Sequence, residues 1–308
     1  MSALLFKRSI YVKMTIKAFL LRNISAHKKP GIVMKPFIVT GPPRSGTSLL
    51  SALLARKSNV LVANEPVVVS DPCLELGAPA RLLRGYLTEM ARKAVFEGKM
   101  STKVDPKQTE RPTTDTAHVG AVRSDVPITI DKNLPLAVGA KHPISFMEFL
   151  EELTSGWPAL KVIIIARDPI ASIRSWRETK YGWQPALDDR NAGLWRKMYE
   201  EIPACDTPLE RRAHLWNLLI DRGMNVRERY PEQVVFLRYE ELLEKPALVM
   251  NRLFTHIGAP NPETPIDVSD VKPQSRPNFK GFTDEEIAMF RRICGDRDAK
   301  SRAVRLIM

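Results

Sequence analysis

The stretch Gly41-Pro42-Pro43-Arg44-Ser45-Gly46-Thr47-Ser48-Leu49-Leu50 constrains this chain more than any other. It follows a short apolar run, Pro36-Phe37-Ile38-Val39-Thr40. It leads into a segment with leucines at 49, 50, 53 and 54, which mark one face of a helix. Strand, glycine-bounded turn and helix in that order aim several backbone N–H groups and a helix N-terminus at one point, where a phosphate fits. Gly41 and Gly46 have the spacing of the triphosphate loop G-x-x-x-x-G-K-[ST], but Thr47 stands where that loop has its lysine. That lysine normally reaches the β- and γ-phosphates, so triphosphate chemistry is disfavoured. Arg44 places a cation inside the loop instead, which suits a shorter and less charged cargo.

The rest of the chain alternates strands with helices. "NVLVANEP" is a second strand closed by Pro66, residues 73 to 98 carry apolar side chains at helical spacing, and "LAVGAKHP" and "LKVIIIARDP" are further apolar strands. "ISFMEFLEELTSG" predicts one amphipathic helix ending at Gly156. "IASIRSWRETK" predicts a helix opened by Pro169, and "QVVFLRYEELL" a late strand running into a helix. "FTDEEIAMFRRICG" has a capping box, Thr283 before Glu286, and a stop at Gly295. Between them, residues 99 to 127 are polar, proline-marked and weakly periodic, and predict a long surface excursion, the best candidate for an acceptor-side lid. "ITID" after it predicts a short edge strand. The pattern predicts one α/β domain over residues 36 to 308, with a mainly parallel central sheet flanked by helices.

Bulk properties narrow the partners. The net charge is +12, and residues 1 to 64 hold eleven Lys and Arg with no acidic residue before Glu65. Such a balance implies an anionic partner. Residues 1 to 35 form a basic N-terminal extension with three open readings: an amphipathic helix on a membrane surface, a transit-like leader, or a loosely packed arm. No stretch approaches the roughly 18 uninterrupted apolar residues of a membrane span. The three cysteines and five histidines are scattered, without disulfide or metal-ligand spacing, so a reducing, cytoplasmic setting and no metal are expected.

The segment "PFIVTGPPRSGTSLL" resembles the 5′-phosphosulfate loop of sulfotransferases that use 3′-phosphoadenosine 5′-phosphosulfate (PAPS), in the style of tyrosylprotein sulfotransferases and bacterial relatives. The resemblance implies a P-loop nucleotide-kinase-like fold, with Pro43, Arg44, Ser45, Gly46, Thr47 and Ser48 around the phosphosulfate. "LKVIIIARDPIASIRSW" resembles a second family signature and implies that Arg167 and Ser175, eight residues apart, hold the 3′-phosphate. A guanidinium fork suits a phosphate. "LRYEELLEKPALVMNRLFTHIGAP" resembles a third segment and adds Tyr239 to the cofactor-binding set. A basic C-terminal loop closing on the 3′-phosphate would bring in Arg276 and Lys280, on a poorer match.

Sulfonyl transfer to a hydroxyl needs a base, a cation at the bridging oxygen and donors for the leaving bisphosphate. Glu65 ends the second strand, twenty-one residues after Arg44, where relatives place a catalytic glutamate. Lys141, twenty-six residues before Arg167, resembles the family's catalytic lysine. His142 does not align cleanly with the histidine base of the cytosolic enzymes, and assists Glu65 or merely packs. The expected reaction is PAPS-dependent sulfonylation of a hydroxyl on a carbohydrate, peptide tyrosine, lipid or metabolite. No nucleic-acid partner is expected, and peripheral membrane contact through the basic segment stays open. Two other readings remain: a magnesium-dependent kinase using Asp168, and a non-enzymatic polyanion- or membrane-binding protein led by the N-terminal arm.

Overall fold

The computed structural model describes residues 33–66, 78–112, 122–178, 194–271 and 281–304, with side chains of 108–112 and 194–196 left aside. The basic extension before residue 33, the segment holding Arg276 and Lys280, and residues 113–121 of the predicted lid therefore lie outside the described residues.

The chain opens with β1 (Met34–Thr40), the loop 41–46, α1 (Thr47–Leu54), β2 (Val60–Asn64) and α2 (Pro79–Glu97). Next come β3 (Lys99–Asp105), β4 (Gln108–Pro112), β5 (Val122–Pro127), β6 (Leu136–Lys141), α3 (Ser145–Glu148), α4 (Leu150–Gly156), β7 (Lys161–Ala166) and α5 (Pro169–Arg177). Then α6 (Leu194–Glu200), α7 (Pro208–Arg229), β8 (Val234–Arg238), α8 (Tyr239–Glu244), α9 (Pro246–His256) and α10 (Asp284–Ala303) complete the described elements.

The central sheet has the order β2-β6-β1-β7-β8, and every pairing in it is parallel. Helices cover both faces, so its strands are apolar throughout rather than alternating: β2 and β6 are buried at every position. Their side chains still divide between two cores. Ile38, Leu61, Val138, Val162 and Ile164 pack with Leu83, Leu87, Leu153, Trp216, Leu219 and Phe290 from α2, α4, α7 and α10. Phe37, Val39, Val62, Ile163 and Ile165 pack with Leu50, Leu53, Leu242, Leu253 and Phe254 from α1, α8 and α9. Each of these fully buried large side chains contributes about 1.5–3 kcal/mol. Two of the long helices are fixed at their starts. Thr207 caps α7 by accepting from Glu210 N–H at 3.1 Å, and the expected capping box of Thr283 and Glu286 opens α10.

Four local expectations differ from the structure. The polar excursion contains a three-stranded antiparallel sheet in the order β4-β3-β5, and Met100, Thr102 and Val104 alternate inward along β3. "ITID" forms no strand. The single predicted helix from Ile144 to Gly156 is two helices broken at Phe149. Helix α10 runs through Gly295 to Ala303. A glycine stops a helix only where the chain turns left-handed, and Gly295 is not among the positive-φ residues. Its cost within a helix is about 1 kcal/mol, less than the packing of α10 returns.

Chain direction sets the position of the site. From β1 the chain crosses to β2 on one side, while from β7 it crosses to β8 on the other. The loops leaving β1 and β7 diverge, and they open a crevice at the carboxyl ends of these adjacent strands.

Candidate active site

The loop from Gly41 to Gly46 is held by close contacts that admit only glycine at its ends. At Gly41 (φ +142°) a Cβ would fall 2.0 Å from the Ile165 carbonyl oxygen of β7. At Gly46 (φ +94°) it would fall 2.3 Å from the ring of Tyr239. Arg44 also has a positive φ, 64°, a conformation that costs a non-glycine residue about 1 kcal/mol or more and clusters at functional sites. Ser45 Oγ is buried, with no hydrogen-bond partner among the described residues. A buried hydroxyl in that condition, beside a loop that ends at a helix N-terminus, is what an anionic ligand oxygen would satisfy.

Arg167 and Ser175 come to this loop from β7 and α5. Arg44 Nε donates to Ser175 Oγ at 2.9 Å. Arg167 Nη1 reaches the Arg44 carbonyl at 3.4 Å, and its guanidinium lies 4.8 Å from the centre of the Tyr239 ring. That ring, at the start of α8, thus backs both Gly46 and Arg167. Burial lowers the Arg167 pKa from its ordinary value, and the neighbouring Arg44 adds to the effect. Both guanidinium groups would gain from an added phosphate. Of the residues expected to hold nucleotide, Pro43, Arg44, Ser45, Gly46, Thr47, Ser48, Arg167, Ser175 and Tyr239 all lie on this loop, the first turn of α1, or the ends of β7 and β8 with their helices.

Glu65 and Lys141 meet on the other side of the loop. Lys141 ends β6, is 1% exposed, and donates from Nζ to Glu65 Oε1 at 2.7 Å. The Glu65 main chain is left-handed (φ 45°), and its N–H donates to the Lys141 carbonyl at 2.7 Å. Burial alone would push the Glu65 carboxyl up. The fields of Lys141 and Lys103, with His142 behind them, overcome burial and hold it well below the usual carboxylate range. Lys141 is pulled down by burial against the attraction of Glu65, and Arg44 is close enough to lower it further. The field of Arg44 thus reaches the Lys141–Glu65 ion pair.

His142 is engaged elsewhere. Its Nδ1 accepts the Ser145 N–H at 3.1 Å, and its Nε2 lies 3.3 Å from Ser145 Oγ. With Nδ1 as acceptor the proton sits on Nε2, and the ring serves the start of α3. Burial pushes its pKa down to about 4, so the imidazole is neutral at pH 7. Asp168, the residue a magnesium site would need, is also occupied. Oδ1 caps α5 by accepting Ala171 N–H at 2.9 Å, and Oδ2 pairs with Arg302 at 3.1 Å.

Sequence reasoning missed two cations. Lys103 Nζ, from β3, forms an ion pair with Glu65 Oε2. Arg123 Nη2, from β5, donates to the Glu65 carbonyl at 2.7 Å. A third contact from the same insert, Asn64 N–H to the buried Thr102 Oγ1 at 2.9 Å, docks β3 on the end of β2. The alternation Met100, Thr102, Val104 was the available signal for β3. Its pairing with β5 was not visible.

A family model described as the sulfotransferase family matches residues 36–263. The chain belongs to the sulfotransferase family. Among curated relatives of this sulfotransferase, Nodulation protein H of Rhizobium tropici is 23% identical over 234 residues, covering 73% of this chain and 76% of the relative. Among solved structures, a sulfotransferase from Alicyclobacillus acidocaldarius aligns with a TM-score of 0.44 at 17% identity, over 86% of this chain and 95% of that one. Sulfotransferase STF9 from Mycobacterium avium aligns with a TM-score of 0.39 at 17% identity, over 91% of this chain and 72% of that one. Among the described residues of this sulfotransferase, no helix is long and apolar enough to cross a membrane.

Proposed function

We propose that this sulfotransferase takes its sulfonyl group from PAPS, passes it to an acceptor hydroxyl, and releases adenosine 3′,5′-bisphosphate. One observation carries the reading. The loop cation Arg44 is bonded to Ser175 and touched by Arg167 on one side, and its field reaches the part-buried Lys141–Glu65 pair on the other. This arrangement supports a site where donors suited to two phosphates lie beside a carboxylate and a lysine.

In this reading Arg167 and Ser175 hold the 3′-phosphate. Arg44, Ser45 and the N–H groups around Gly46 hold the 5′-phosphosulfate. Glu65 receives the acceptor proton as the acceptor oxygen bonds to sulfur. Lys141 stabilises the oxygen that bridges sulfur and phosphorus as the S–O bond breaks and the electron pair leaves with the bisphosphate. Glu65 is held ionised, so it is ready to accept a proton at neutral pH. Its low basicity is offset by the cations that surround the developing charge. The magnesium-kinase reading has less support, because both oxygens of Asp168 already serve the α5 cap and Arg302. His142 is proposed to pack and cap α3 rather than act as base.

The test is to incubate the full chain with PAPS and a panel of phenolic, carbohydrate and lipid hydroxyls, following adenosine 3′,5′-bisphosphate with and without a metal chelator. Acceptor-stimulated, chelator-insensitive release is expected, abolished in Arg44→Ala. Nucleotide turnover that requires magnesium and ATP would contradict the proposal.

A further inference from the structure

Lys103 and Arg123 are directly opposite each other in the β3–β5 ladder. Like charges at that position repel across a pair of strands. Both reach out of it to one residue, Glu65. Lys103 takes the second carboxylate oxygen, opposite Lys141 on the first. Arg123 takes the main-chain carbonyl. Glu65 needs such support, because its left-handed backbone costs a non-glycine residue about 1 kcal/mol or more.

We propose that Lys103 and Arg123 are positioning residues for the reaction, a two-pronged clamp by which the antiparallel insert holds the carboxylate and the backbone of the base in working orientation. The proposal rests on the reading of Glu65 as base. It gives the insert a role beyond covering the cleft: the insert completes the acid–base centre from the acceptor side. The two ammonium groups are unequal in access. Lys141 is sealed at 1% exposure, while the Lys103 side chain keeps 28%. Charged and titratable groups facing Glu65 include Lys141 and His142 from the end of β6, Lys103 from β3 and Arg123 from β5. Removing Lys103 takes one cation off the carboxylate, so the Glu65 titration moves upward in pH.

The experiment compares Lys103→Met, Lys103→Arg and Arg123→Ala with the parent chain. Glutamate carboxyl groups are labelled with carbon-13, and the Glu65 signal is identified by its loss in Glu65→Gln. Two readouts follow: the titration of that signal, and the pH dependence of slow PAPS hydrolysis, with water in the acceptor's place. Binding of adenosine 3′,5′-bisphosphate is the control for an intact donor side and should stay within about twofold, since neither residue touches the phosphate loop. The expected result in Lys103→Met is an upward shift of the Glu65 midpoint and of the acid limb of hydrolysis. The plateau rate should fall by up to about 100-fold, the scale set by a misplaced catalytic group, and Lys103→Arg should restore most of both. Arg123→Ala should lower the plateau with a smaller shift of the midpoint. An unchanged midpoint and limb in Lys103→Met, with Glu65→Gln inactive, overturns the clamp alone. Retained hydrolysis in Glu65→Gln overturns the clamp together with the base.

Discussion

The wall of the crevice that carries Arg44, Arg167 and Ser175 is made from loops and helix starts at the ends of adjacent parallel strands. The wall that faces Glu65 is made from ladder partners in an antiparallel insert. On the first wall the strands fix the loops, and glycine fixes how closely they approach: Gly41 lies against β7, and Gly46 against the Tyr239 ring. On the second wall the cations Lys103 and Arg123 are aimed by register, so their placement depends on which strands pair. The lesson is a division of labour. The parallel sheet builds the proposed donor site from short local motifs, and the antiparallel insert is a separate sheet that meets it at Glu65.

Separate failure of the two walls is therefore the way to break this comparison, and the largest effect belongs where they meet. Glu65→Gln should lower turnover by about 10²–10⁴-fold, the usual span for a positioned proton acceptor, while leaving affinity for adenosine 3′,5′-bisphosphate nearly unchanged. The same substitution strands Lys141 at 1% exposure, so stability at neutral pH should fall by about 3 kcal/mol in denaturant titration. Parallel loss of nucleotide affinity would mean that the two walls are one cooperative unit.

Gly46→Ala comes next and acts on the donor wall alone. The new methyl would meet the Tyr239 ring at 2.3 Å with φ at +94°. About 1–3 kcal/mol of strain is expected, which is roughly tenfold or more in bisphosphate affinity, read by calorimetry. The Glu65 carboxyl titration should not move.

Acid exposes the acceptor wall. The folded-state pKa of Glu65 is held below its unfolded value, so its contribution to stability is complete above the ordinary carboxylate range. That contribution is lost as pH falls from there through the depressed value. Thermal melts taken downward from pH 5 should show it, and Glu65→Gln should flatten that part of the curve.

The smallest effect is expected at the rear of the donor wall. There Arg302 of α10 pairs with Asp168 and Asp298, while the buried Arg238 pairs with Asp298 and Glu240. Half-exposed Arg302 should contribute under about 1 kcal/mol on replacement by alanine.

The donor wall was legible in the sequence because its elements are contiguous. Strand, glycine loop and helix lie within residues 36 to 54, and Arg167 and Ser175 share one strand-to-helix turn. Glu65 and Lys141 could be named through the resemblance to the family's glutamate and lysine positions at the ends of apolar strands, although that those strands are neighbours is a property of the folded sheet. Lys103 and Arg123 could not. They are twenty residues apart in a polar stretch, and only the antiparallel pairing of β5 with β3 sets them opposite each other. The tertiary use of Asp168 was also hidden, since Arg302 approaches from a helix that the sequence seemed to end at Gly295.

The loop and the β7–α5 turn together are proposed to make a site for a nucleotide phosphorylated at both the 3′ and the 5′ position. Calorimetric titration of the parent chain and of Arg167→Ala with adenosine 3′,5′-bisphosphate and with adenosine 5′-monophosphate tests it most directly. The account predicts that the parent binds the bisphosphate at least about tenfold more tightly, the scale of one or more charge-assisted hydrogen bonds, and that Arg167→Ala removes most of that preference. Equal affinity of the parent for the two nucleotides, or a preference that survives loss of Arg167, would contradict it.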